Sequence, residues 1–193
     1  MTAEFTINVG TVTMHYRAWG DPESPALILL HGSGSSGMAW QQLGPTLAND
    51  WRVYAPDARG HGDTDWPGGY SFEAMADDLA GFVANLALRR PVLVGHSMGG
   101  VAAYLCAQRH PDVPSALVLA ETPPPMPVNR PLPPRPDSPL PYDWDVRPAI
   151  IAELAAPKPQ WWDDLAGISV PTLVLGGGPD SPFSQQAMAR VAQ

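Results

Sequence analysis

Pro91-Val92-Leu93-Val94-Gly95-His96-Ser97-Met98-Gly99-Gly100 decides the fold of this chain. A short apolar, β-branched run ends in G-x-S-x-G, and an Ala-rich stretch of helical character follows at once. That is the strand–turn–helix setting of a nucleophile elbow. A turn that lifts a serine hydroxyl clear of a sheet strains the serine backbone and brings neighbouring turns close together. Gly95 and Gly99, two residues to either side, carry no Cβ to clash, and Gly100 lets the helix pack against the strand. Ser97 then lies at a helix N-terminus, where unpaired N–H groups and the macrodipole favour negative charge. The competing reading is a Gly-rich turn with an incidental serine, and the flanking strand and helix weigh against it.

Composition bounds the rest. A chain of 193 residues and 20.6 kDa can bury about 70% of its unfolded surface in one core. Its 45% hydrophobic and 16% charged residues are globular in character. A net charge of -8 and a pI near 4.9 argue against nucleic acid and anionic membranes as partners, since both require a basic patch. The single Cys106 allows no intrachain disulfide, which points to a reducing, cytoplasmic setting. In the helix after the elbow it reads as a small core residue. Met1-Thr2-Ala3-Glu4-Phe5 has neither a basic region nor a long apolar run, so no signal peptide is expected. No apolar stretch approaches the roughly 20 residues that span a bilayer.

Strands alternate with helices through the first half, the pattern of a mostly parallel sheet covered on both faces. Thr11–Trp19 alternates apolar and polar residues as an edge strand does, and Ala26–Leu30 is a continuous apolar run suited to a buried central strand. Met38–Ala48 is expected to be helical and Arg52–Pro56 a strand. Ser71 reads as an N-cap, with Phe72, Met75, Leu79, Phe82, Val83 and Leu86 following at helical spacing. After the elbow come a helix over Met98–Arg109 and a strand over Ala116–Ala120. Ten of the 24 prolines then fall between Pro123 and Pro141, a density that forbids helix and sheet and favours extended chain. Three parts follow: a first core segment (1–121), a Pro-rich short cap (122–160) that walls a pocket, and a second core segment (161–193). Tyr142, Trp144, Trp161 and Trp162 either line an apolar pocket or pack the lid. Val170–Leu175 is the last strand, ending in Gly176-Gly177-Gly178-Pro179-Asp180, and a helix begins at Ser184.

Four motifs in order carry a family resemblance. They are His31-Gly32-Ser33-Gly34 after the third strand, Asp57-Ala58-Arg59-Gly60-His61-Gly62 after the fourth, the elbow, and Gly178-Pro179-Asp180 after the seventh. From about Phe5 to Gln193 the chain resembles the α/β-hydrolase-fold serine hydrolases, and the His96 and Met98 spelling of its elbow is similar to small-molecule esterases, lactonases and cofactor-free peroxidases. The resemblance implies Ser97 as nucleophile, forming an acyl-enzyme, with the backbone N–H groups of Met98 and Ser33 as the oxyanion hole. It implies Asp180 as the acid that orients a histidine, with Glu121 at the end of the sixth strand as the alternative. Asp57 and Arg59 are expected to organise a loop. Neither metal nor cofactor is implied, since no cluster has ligand spacing and no phosphate-cradling loop is present. The expected partner is a small-molecule ester, lactone or thioester.

One departure stands out. The family order is Ser, acid, His, with the His after an eighth strand, yet His15, His31, His61, His96 and His110 all precede Asp180. The chain reads either as a C-terminally truncated piece of an active hydrolase or as a short form that binds without turnover. The helix interrupted at Ala192-Gln193 favours truncation. A substitute base, His31 or His61, is disfavoured on geometry. Truncation also predicts that Thr172–Leu175 is a flat, apolar, exposed edge.

Overall fold

A computed structural model describes residues 3–192; Met1 and Thr2 of the N-terminal reading, and Gln193, lie outside the described residues. Among the described residues seven strands form one sheet in the order β1-β2-β4-β3-β5-β6-β7. They are β1 (Ala3–Val9), β2 (Val12–Trp19), β3 (Ala26–Leu30), β4 (Arg52–Pro56), β5 (Val92–His96), β6 (Ala116–Ala120) and β7 (Thr172–Leu175). β1 and β2 pair antiparallel, as do β2 and β4, and every later pairing is parallel. Among the described residues six α-helices accompany the sheet: α1 (Leu43–Leu47), α2 (Phe72–Asn85), α3 (Met98–Arg109), α4 (Val146–Ala155), α5 (Pro159–Asp163) and α6 (Gln185–Val191).

The two faces of the sheet hold two cores. Alternation along β3 and β4 sends Leu27, Leu29, Val53 and Ala55 to one face, where Trp19, Trp40 and Leu47 pack on them. Ile28, Leu30 and Tyr54 face the other way, into the larger core with α2 and α3. α2 shows why these residues make this element. Ser71 caps it by accepting a hydrogen bond from the Ala74 N–H, and Phe72, Met75, Leu79, Phe82 and Val83 are buried along one stripe. Burying each such side chain contributes about 1.5–3 kcal/mol. Asp78 interrupts the stripe and is buried, but Arg59 meets it in a bidentate pair at 2.5 and 2.6 Å. α3 is buried almost throughout. Its Cys106 thiol is pushed up to about 12 by burial, so it stays protonated and serves as core.

Three expectations are corrected. β2 is an inner strand, because the preceding β1 pairs along its whole length through a hairpin at Gly10 (φ 57°). The alternation of Phe5, Ile7 and Val9 with polar neighbours already carried that signal. Met38–Ala48 is not one helix: a 3-10 turn at Gly37–Trp40 is followed by α1. Pro45 has no N–H and fits only a first helical turn, so the helix restarts just before it. The last strand begins at Thr172, after Pro171. Between Pro123 and Pro141 the chain forms neither helix nor strand, as its prolines require. At its end Pro141 accepts from the Gly62 N–H and the Asp143 N–H donates to the Gly60 carbonyl, which stitches the end of the Pro-rich segment to the loop after β4.

Candidate active site

Ser97 joins β5 to α3 with φ 52° and ψ −114°, a conformation that L-residues rarely adopt. Its N–H donates to the Ala120 carbonyl, and its own carbonyl accepts from Gly100 and Val101, so the turn is held from both sides. The elbow glycines act through close approach. A Cβ on Gly95 would lie 2.5 Å from the Gly100 Cα, and one on Gly99 would lie 2.6 Å from the Leu30 carbonyl oxygen. The loop after β3 lies directly against the nucleophile. A Cβ on Gly32 would lie 3.5 Å from the Ser97 Cβ and 2.9 Å from the His96 ring.

Ser33, Ser97 and Met98 line one cleft of about 300 Å³. Its other walls come from Phe72, from Pro123, Pro131 and Pro133 of the Pro-rich segment, from α4, and from Phe183. The N–H groups of Ser33 and Met98 have no partner among the described residues, and neither does the Ser97 hydroxyl. The elbow and the first Gly-rich loop therefore bring together three of the four residues expected at the site. Asp180 does not line the cleft; it is exposed in a 3-10 turn, three residues before Phe183, which does. Glu121 is engaged instead with the loop that follows β7. It accepts from the Gly177 N–H and, at 2.5 Å, from the Ser181 hydroxyl.

The histidines are placed by other demands. His31 is buried; its Nε2 accepts from the Ala58 N–H at 2.9 Å, so its Nδ1 carries the proton that the Gly32 carbonyl accepts. His61 repeats the arrangement, with Nε2 accepting from Gly34 and Nδ1 donating to the Arg59 carbonyl. Burial lowers the pKa of both, that of His61 to about 4. With both ring nitrogens taken, neither is a base for Ser97. His15 pairs with Asp57 at 3.0 Å and His110 with Asp77 at 2.9 Å. His96 is exposed, and no histidine lines the cleft among the described residues.

Asp57 organises its surroundings, as the sequence suggests. Fully buried, it receives His15 and Arg17 from β2 and the N–H groups of Gly37 and Asp63. The cap aromatics pack rather than line the cleft. Tyr142 stacks on His61 at 5.6 Å, Trp161 meets Phe72 edge-on at 6.0 Å, and Trp162 lies under Arg190. Sequence reasoning passed over the two arginines of the cleft, Arg130 and Arg147; both lie in the cap, where no motif marks them.

With that geometry in place, comparison with known proteins fixes the class. The family model described as alpha/beta hydrolase fold matches residues 25–149, and the chain belongs to that family. Its relatives include proteins named as hydrolases. Epoxide hydrolase 3 of Xenopus tropicalis is 35% identical over 117 residues, 59% of this chain and 32% of that protein. The sn-1-specific diacylglycerol lipase of Mus musculus is 41% identical over 107 residues, 54% of this chain and 35% of the lipase. The chain thus spans about a third of the length of these curated relatives. The thioesterase domain from the curacin biosynthetic pathway superposes with a TM-score of 0.83 at 22% identity, covering 99% of this chain and 88% of that one, which shows a shared fold. Among the described residues no helix is long and apolar enough to cross a membrane.

Proposed function

We propose that the chain carries the nucleophile and oxyanion hole of a serine hydrolase for a small-molecule ester, lactone or thioester. The observation that carries the reading is Ser97, held in a strained elbow on the wall of a cleft with its hydroxyl unengaged. Its Oγ adds to the substrate carbonyl as its proton passes to a base, a group that no described histidine supplies at the cleft. The carbonyl electrons move to oxygen, and the Met98 and Ser33 N–H groups receive that charge. Such a donor is worth about 2.7–4 kcal/mol in the transition state. Collapse expels the alcohol or thiol, and water then cleaves the acyl-enzyme. Asp180 is the proposed acid, since the Glu121 carboxylate is already occupied by Gly177 and Ser181. The likeness to a diacylglycerol lipase supports acyl chemistry.

A second reading, a protein that binds in this cleft without turnover, is favoured by one observation: the cleft has no histidine among the described residues. A triad hydrolase deprived of its histidine loses on the order of 10⁶ in kcat. The 193-residue chain is therefore expected to turn over p-nitrophenyl acetate scarcely faster than its Ser97→Ala variant. Labelling with a fluorophosphonate, followed by intact mass, separates the readings. A covalent adduct on the wild type that is absent from Ser97→Ala establishes an activated hydroxyl. No adduct leaves the binding protein.

A further inference from the structure

The chain carries a net charge of -8, yet both charged residues that line the Ser97 cleft are arginines, Arg130 and Arg147. Among the described residues neither guanidinium makes an ion pair or a hydrogen bond. Arg147, second residue of α4, runs between the Tyr142 ring, 5.9 Å from its guanidinium carbon, and Gly34. A Cβ on Gly34 would lie 3.5 Å from Arg147 Nη2, so the glycine leaves the space that the guanidinium uses. Arg147 Nε and the Ser33 hydroxyl are both buried without a hydrogen-bond partner, and both residues line the cleft.

Two carboxylates of the same segment have other partners. Asp143 accepts from the Tyr70 hydroxyl at 2.7 Å and from the Asp145 N–H; Glu153 accepts from the Phe72 N–H at 2.8 Å. An unpaired, partly desolvated guanidinium is costly unless something completes it, and its fixed fork of donors matches a carboxylate bidentately. Arg147 and Arg130 line the same cleft as Ser97, so an anion that completes them would lie in that cleft.

We propose that the cleft takes a substrate bearing a carboxylate, held by Arg147, with the exposed Arg130 adding a second, more screened charge. This names the substrate class and rests on the reading of the Ser97 cleft as the substrate site. The test measures binding of monoethyl glutarate and of diethyl glutarate to the Ser97→Ala protein by calorimetry. The monoester is expected to bind at least about tenfold more tightly, the scale of one charge-assisted pair, and salt should narrow the gap. Arg147→Met should abolish the preference and Arg147→Lys should retain part of it. Arg130→Met should change it by less than about threefold, as for a screened pair.

Equal binding of the two esters, no measurable binding of the monoester, or a preference that survives in Arg147→Met would each overturn the proposal. The comparison of esters needs no arginine variant, so a misfolded Arg147→Met leaves it decisive. Fluorophosphonate labelling reports on Ser97 independently. Labelling without a carboxylate preference sinks only the substrate class, and a preference without labelling sinks only the hydrolase.

Discussion

Ser97 bears a cost that its neighbours sustain. At φ 52° and ψ −114° a side chain is crowded by its own backbone, and such a conformation stores on the order of 1–3 kcal/mol. The Ala120 carbonyl and the packing of Gly95 against Gly100 hold it there. Glycine adopts this region freely, so Ser97→Gly is expected to be more stable than Ser97→Ala by about 1 kcal/mol, after its larger unfolded-state entropy is subtracted. Urea unfolding of the two variants measures the difference. An alanine variant as stable as the glycine one would mean that the elbow is not strained. The same residue scale explains why His31 and His61 are inert toward Ser97: each ring nitrogen already has a backbone partner.

At the scale of elements, the loop after β4 joins the sheet to the cap. His61 stacks on Tyr142, Gly62 donates to Pro141, and Tyr70 reaches Asp143. The joint binds the neutral His61 ring, whose pKa is lowered to about 4 by burial first and by His31 second. The unfolded chain takes up that proton near the ordinary 6.5. The stability contributed by the neutral ring is therefore complete above pH 6.5 and is lost as pH falls toward 4, by about 1.4 kcal/mol per pH unit within that window. His31, lowered in the same direction, adds to the slope. Urea midpoints at pH 7, 6 and 5 should fall steeply, and His61→Gln should flatten the trend. An unchanged slope in that variant would place the titrating group elsewhere.

Across the whole molecule, the sheet runs from the charged, hairpin-bound β1 edge to an apolar edge at β7. Leu173 and Leu175 are 53% and 46% exposed there, on the opposite face from Val174. A short apolar edge with no charged residue is a template for pairing with other chains. Leu173→Lys combined with Leu175→Lys is expected to raise the monomeric fraction on light scattering. Folding stability should stay within about 0.5 kcal/mol, as for surface positions. An unchanged monomeric fraction would show that this edge does not drive association. What the sequence by itself determined is whatever local chemistry governs: strand, turn and helix at the elbow, the Ser71 cap, the apolar stripe of α2, and the extended Pro-rich segment. Each depends on residues a few positions apart, where steric limits and side-chain period leave little choice. Only the tertiary structure decided which distant residues meet. It placed β1 beside β2, gave Glu121 to Ser181, gave the ring nitrogens of His31 and His61 to backbone partners, and set Arg147 beside Gly34. Those contacts join residues up to 113 positions apart, and no local pattern encodes them, because long-range partners are chosen by packing and by the need to satisfy buried polar groups.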